Sequence, residues 1–191
     1  MATPGGMQIS EIEGKLYSGK AKGGATIKWG DLWSAEGDLS IDNVLLAGAM
    51  PALTKDLELT GKLDAKTIYS MQSKDLDTLF DNPRIKASFN IRDGSIGNID
   101  LARAIQPRAT ETTGGKTLFA SLSGSMMLDG KRYQYRQMKL AAGLLSASGE
   151  ADIMPDKKLS GKTSVEMKLK SSTVHARLTL SGDLKQPVLR R

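Results

Sequence analysis

Val165-Glu166-Met167-Lys168-Leu169-Lys170, the polar pair Ser171-Ser172, and then Thr173-Val174-His175-Ala176-Arg177-Leu178-Thr179-Leu180 form the stretch on which the fold turns. Successive side chains of a strand point to opposite faces. Val165, Met167 and Leu169 therefore share one face, and Glu166, Lys168 and Lys170 share the other. After the turn the order resumes, with Val174, Ala176, Leu178 and Leu180 set against His175, Arg177 and Thr179. Two alternating runs around a short polar turn predict an antiparallel hairpin with one dry face and one wet face.

The same pattern extends outward. From Asp56, the apolar Leu57, Leu59, Leu63 and Ala65 alternate with Asp56, Glu58, Thr60, Lys62 and Asp64. Weaker alternation runs through Ala25, Ile27 and Trp29, through Leu39 and Ile41, and through Ala147, Gly149, Ala151 and Ile153. A short motif of apolar, hydroxyl, glycine, polar and apolar residues recurs at Leu59–Leu63, Leu122–Met126, Ala147–Ala151 and Leu180–Leu184. Leu159–Thr163 departs from it only at the last position. A glycine on the dry face lets a strand bend or another backbone approach. Several strands bent at similar points predict a mainly β fold, a single curved antiparallel sheet forming a trough or partial barrel, with a few short helices. The helices are expected at Asn43–Ala49 (capped by Asp42), at Lys74–Phe80 (capped by Ser73), and at Ile99–Gln106 with Leu101, Ala102 and Ile105 on one side. Residues 108–116 are expected to be a mobile loop and residues 1–6 a flexible tail or boundary, leaving 7–191 as one β domain.

Composition narrows the chemistry. The net charge is +6, but the basic residues are dispersed, with pairs such as Lys157-Lys158 and Arg190-Arg191 and no nucleic-acid motif. There is no cysteine and one histidine, His175, on the wet face of its expected strand. Thiolate chemistry is thus absent, and a zinc site would need carboxylates almost alone. Gly114-Gly115-Lys116-Thr117 lacks the earlier glycine of a phosphate loop, since Thr110 stands there. No G-x-S-x-G elbow occurs. Asp75 with Asp77 and Asp152 with Asp156 show no pairing across a cleft, which glycoside hydrolysis requires. No run approaches the ~18 apolar residues of a membrane-spanning helix. These features predict a non-enzymatic protein without catalytic residues, metal or cofactor.

Phe89-Asn90-Ile91-Arg92-Asp93-Gly94-Ser95-Ile96-Gly97-Asn98-Ile99-Asp100-Leu101-Ala102 resembles the C-terminal region of the AsmA family of cell-envelope proteins, where a strand ends in such a turn and enters a short helix. Leu16-Tyr17-Ser18-Gly19 resembles the family's strand start, with Ser18 where a first glycine is usual. Leu118–Gly124, the strand at Gly149 and Leu178–Pro187 are similar to its later strands and closing motif. The resemblance covers roughly residues 7–190 and lies mainly in the order of these segments. It implies a periplasmic body of curved sheet, part of a longer protein tethered to the inner membrane by an N-terminal helix that this chain lacks. It also implies phospholipid bound or guided along an apolar groove, support of outer-membrane assembly or integrity, and no catalytic residues to carry over.

The groove candidates are Leu57, Leu59 and Leu63, then Val165, Met167 and Leu169, then Val174, Leu178 and Leu180. The expected partners are phospholipid or a membrane surface and other envelope proteins, not nucleic acid. The alternative is a structural or interaction domain that binds another envelope protein through its curved sheet or a strand edge. The two readings differ in whether the dry face is open or filled.

Overall fold

The structure, a computed structural model, describes residues 2–191. Its strands are β1 (Ala2–Thr3), β2 (Gly6–Leu16), β3 (Gly19–Lys28), β4 (Trp33–Leu45), β5 (Leu59–Ser73), β6 (Arg84–Gly97) and β7 (Glu111–Thr113). They continue as β8 (Lys116–Asp129), β9 (Arg132–Ala142), β10 (Leu145–Ile153), β11 (Leu159–Lys168), β12 (Thr173–Gly182) and β13 (Pro187–Arg190). Two helices, α1 (Leu46–Leu53) and α2 (Leu101–Ala104), interrupt them. All thirteen strands form one antiparallel sheet in chain order, save that β7 stands at the far edge beside β13. The sheet does not close into a barrel.

The sheet is strongly curved. Six strand spacings separate β6 from β13, which in a flat sheet is about 29 Å. Yet Ile91 of β6 and Leu189 of β13 belong to one packed cluster with Leu46 of α1, Leu101 and Ala104 of α2, and Ile105. Asp56, just ahead of β5, meets Lys157 at 2.7 Å and Lys185 at 3.6 Å, in the turns beyond β10 and β12. Register shifts accompany this curvature. Gly61 of the recurring motif stands opposite an extra residue at Asp93–Gly94 of β6, and Gly124 opposite one at Gln137–Met138 of β9. Gly149 itself pairs with Met138 just before the β9–β10 shift. Gly61 has φ +126°, and a Cβ there would lie 2.8 Å from the Arg92 carbonyl oxygen. The bulged strand here is β6, where Asp93 has φ +53°, and a β-bulge bends its strand and increases the local twist.

The glycines also seat the aromatic rings. Gly37 pairs in register with Tyr69, Gly124 with Phe89, and Gly94 with Phe119. At each of these glycines a Cβ would collide with or crowd the partner ring. The ring crosses the bare backbone of its neighbour, and the Tyr69 hydroxyl donates to the Gly24 carbonyl at 3.2 Å. Phe89 then meets Tyr135 edge-on, with ring centroids 6.2 Å apart. Burial, with Tyr133 adding to it, pushes the Tyr135 phenol up to about 12.

The Val165–Leu180 hairpin forms with Val165 opposite Ala176 and Met167 opposite Val174, although β11 ends at Lys168, before Leu169. The expected helices are displaced or shortened. Val44 and Leu45 stay in β4, paired with Leu63 and Lys62 past a bulge at Asp42–Asn43. The ladder runs past the expected Asp42 cap, so α1 starts at Leu46 and continues through Pro51. Ser73 remains paired with Trp33, and only a single 3-10 turn, Leu76–Thr78, forms where a helix over Lys74–Phe80 was expected. Ile99 is held by a bridge to Gly114 and by the Thr117 hydroxyl, so α2 begins at Leu101. Its cap is Asp100, which accepts from the Arg103 N–H, and Ala104 rather than Ala102 faces the core. The expected loop at 108–116 contains β7, whose Thr112 is buried opposite Leu189. Ala2–Thr3, in the expected tail, pairs with Met7 and Gly6; Met1 lies outside the described residues.

Several carboxylates bind the curvature together. Arg136, with Arg132, holds the Asp152 carboxyl below the usual range, and Lys157 does the same to Asp56. The Asn43 N–H and then Arg92 lower Asp64. A depressed native pKa contributes stability that is present above the unfolded value, about 3.9, and is lost as pH falls through the native value. The melting midpoint is therefore expected to be level from about pH 7 to pH 5 and to fall below about pH 4. Asp152→Asn should flatten part of that acid slope, measured by circular dichroism melts across the range.

Candidate ligand-binding face

The structure gathers most of the nominated groove residues and fills the space between them. Val165 and Leu178 are each 2% exposed within the main core. Leu59, Leu63, Met167, Val174 and Leu180 are partly buried and pack against it. Leu57 is half-buried in the connection before β5, which starts at Leu59, and Leu169 lies beyond β11, 48% exposed. Over β8–β13 the dry face carries Phe119, Leu140, Leu145, Val165, Leu178 and Leu189, covered by α2 and by Leu46 of α1.

The dry face of β2–β6 differs. Register places Gly14, Ala21, Ile41 and Ala65 in one cross-strand row, which continues to Phe89. The next row is Ile12, Gly23, Leu39, Thr67 and Ala87. Glycine, alanine and threonine hold six of these ten positions, so these two rows are low in relief, while the Tyr69 ring crosses Gly37 in the row beyond. Ile9, Ala21, Ala25, Leu39, Ile41 and Ala65 are only half-buried and belong to no part of the main core. Ile12, at the edge, is 43% exposed. Five strands at about 4.8 Å spacing give a face about 19 Å across, and ten residues along a strand give about 33 Å. The weak alternation at Ala25–Ile27 and Leu39–Ile41 marked this region in the sequence. The run of small residues at dry positions was the signal that sequence reasoning passed over.

The opposite face is mostly polar, with Ile68 and Met127 exposed among Lys66, Lys86 and Arg136. A concavity of about 880 Å³ there is lined by Ser34, Glu36, Ser70, Gln72, Arg84 and Asp129, among others, with Arg84 paired to Asp129. His175 is exposed, with its Nδ1 3.6 Å from a Glu166 oxygen. Asp152 is held by Arg132 and Arg136, while Asp156 pairs locally with Lys158. The Thr117 hydroxyl donates to the Ile99 carbonyl and accepts from the Leu101 N–H, so it is committed to starting α2. Gly94 lies beneath the Phe119 ring. Among the described residues no cluster of histidine, aspartate or glutamate is arranged to hold a metal. No helix is long and apolar enough to cross a membrane.

No family model, no curated protein and no solved structure matches this chain.

Proposed function

We propose that this chain is a non-enzymatic module of an AsmA-like cell-envelope protein that binds or guides the acyl chains of phospholipid on the dry face of β2–β6. The observation that carries the reading is the half-exposed apolar floor made by Ile9, Ala21, Ala25, Leu39, Ile41 and Ala65, beside a half of the same sheet that is packed against α1 and α2. Covering an acyl methylene releases roughly 0.8 kcal/mol, so a chain half-covered over about twelve methylenes gains about 5 kcal/mol. Glycine and alanine leave room for such a chain above the backbone. Leu39 and Ile41 provide apolar walls. Periplasmic location, a tether in the parent protein and a role in outer-membrane integrity rest on the sequence resemblance.

Native mass spectrometry of the purified protein should reveal co-purified phospholipid, and the protein should retain a fluorescent phospholipid. Leu39→Glu is expected to abolish retention while moving the melting midpoint by no more than about 2 °C, because the site is partly solvated. His175→Ala and Arg177→Ala, on the polar face, should leave retention unchanged. A wild-type protein that neither carries nor retains lipid would overturn the reading.

One feature favours the alternative of an interaction domain. β1 covers β2 only at Gly6 and Met7, so no strand among the described residues lies beside Ile9–Leu16 on the outer edge. An open edge of that length can accept a strand from another protein. Lysine substitution at Ile12 would disrupt such pairing, detectable as loss of a complex on size-exclusion chromatography.

A further inference from the structure

α1 consists of Leu46-Ala47-Gly48-Ala49-Met50-Pro51-Ala52-Leu53 and carries no polar side chain. A helix that is apolar on every side belongs where every side is covered. Only Leu46 and Ala49 are buried here; Ala47, Gly48, Pro51 and Ala52 are exposed, and Leu53 is 75% exposed. The bare surface extends onto the adjoining β2–β3 tip. The Tyr17 ring lies against Gly48, where a Cβ would be 3.0 Å from its Cδ1. The Leu45 N–H donates to the Tyr17 carbonyl at 3.0 Å, joining tip and helix. Leu16, Tyr17 and Leu45 are themselves exposed.

Cations border this surface. Lys15 stands directly opposite Lys20 across the β2–β3 pair, and Lys62 stands opposite Leu45. Like charges placed opposite one another on neighbouring strands repel. Among the described residues, no carboxylate lies within ion-pair distance of Lys15, Lys20, Lys55 or Lys62; Asp42 stands opposite Lys20 on β4 without reaching that distance, and Glu13, Asp56 and Asp64 bind Lys22, Lys157 with Lys185, and Arg92 respectively. A protein interface of ordinary kind carries a hydrogen bond for every 100–200 Å² or so. The exposed side of α1 offers no hydrogen-bonding side chain, whereas an apolar centre with a cationic rim fits a lipid interface.

We propose that α1 and the β2–β3 tip dock on the surface of an anionic bilayer, with Tyr17, Leu53 and the bare side of α1 entering the interface and Lys15, Lys20 and Lys55 meeting lipid phosphates. The docking does not depend on lipid being held on the β2–β6 face. It places one end of that face at the membrane, because Leu16 ends β2 and Tyr17 follows it directly.

Vesicle flotation tests it, using phosphatidylcholine with and without phosphatidylglycerol. The wild-type chain should float with the anionic vesicles, and added salt should weaken the association. Leu53→Glu should lower the vesicle affinity about tenfold. The double variant Lys15→Glu, Lys20→Glu should lower it at least as far and remove most of the salt dependence. All these proteins should keep the wild-type melting midpoint, since the altered side chains are exposed. Leu39→Glu should still float while losing retained lipid, which separates failure of docking from failure of the acyl-chain site. The proposal is overturned if the wild type floats with neither vesicle or if Leu53→Glu floats like the wild type. It is also overturned if the wild type forms a concentration-dependent dimer that Leu53→Glu abolishes, since a second copy would then cover α1.

Discussion

Val165→Asp is expected to lower the melting midpoint by about 10 °C or more and to open the sheet to protease. Val165 is 2% exposed, lies between Ala147 and Ala176 on the neighbouring strands, and belongs to the cluster that includes α2. A carboxylate there would be removed from water with no cation or donor positioned to receive it. Remaining charged in such a place is so costly that the group neutralises or the structure opens, and the measured loss is commonly above about 4 kcal/mol. For a chain of this size each kcal/mol corresponds to roughly 2–4 °C. Met167→Glu, two residues along the same face, should cost less, because Met167 is only partly buried and its flexible stem lies at the border of the core. Differential scanning fluorimetry on both variants is sufficient. An unchanged midpoint for Val165→Asp would mean that the dry face of β8–β13 is open, and would return the acyl-chain site to that half of the sheet.

Strand-by-strand patterning was legible because period two is a local property. Val165–Leu180 announces its hairpin without reference to anything distant, and the observed register pairs the dry residues as expected. The recurring glycine motif marked curvature in part, since Gly61 and Gly124 stand opposite bulges in the neighbouring β6 and β9. Helix positions were less legible. Asp42 and Ser73 have the chemistry of caps, but ladder hydrogen bonds to β5 and β4 claim the residues around them. Isolated helices of this length have little stability of their own, so tertiary pairing decides where they begin. The open and filled halves of the dry face could not be separated by alternation, because both halves alternate. What separates them is long-range: Leu46 of α1 and Leu101 and Ala104 of α2 pack over Phe119, Val165 and Leu178, whereas, among the described residues, nothing in the main core covers Ala21, Leu39 and Ala65. Clear alternation and large apolar side chains mark positions that fill a core more readily than positions that leave space.

Gly94→Ala, a change of one methyl group, is expected to cost roughly 3 kcal/mol and about 6–12 °C in melting midpoint. Gly94 pairs in register with Phe119, and a Cβ there would stand 2.2 Å from the Thr60 carbonyl oxygen and 2.7 Å from the Phe119 Cζ. Phe119 is 5% exposed in the main core, so its ring has little space to withdraw. The Thr60 carbonyl belongs to β5 opposite the β6 bulge at Asp93–Gly94, so moving it disturbs the register of β5 on β6. Gly14→Ala is the matched control. It has the same chemistry, but no atom lies within 4 Å of the added methyl, and the loss of chain freedom in the unfolded state makes the change neutral or slightly stabilising. Pairing Gly94→Ala with Phe119→Leu distinguishes the two collisions. If the ring alone resisted the methyl, the double variant would recover most of the loss beyond the cost of Phe119→Leu itself. With the backbone oxygen of Thr60 closer than the ring, little recovery is expected, and the coupling between the two substitutions measured by chemical denaturation should be small. A large favourable coupling would show that β5 yields easily at Thr60, and that the bend at Gly61 is softer than its geometry implies.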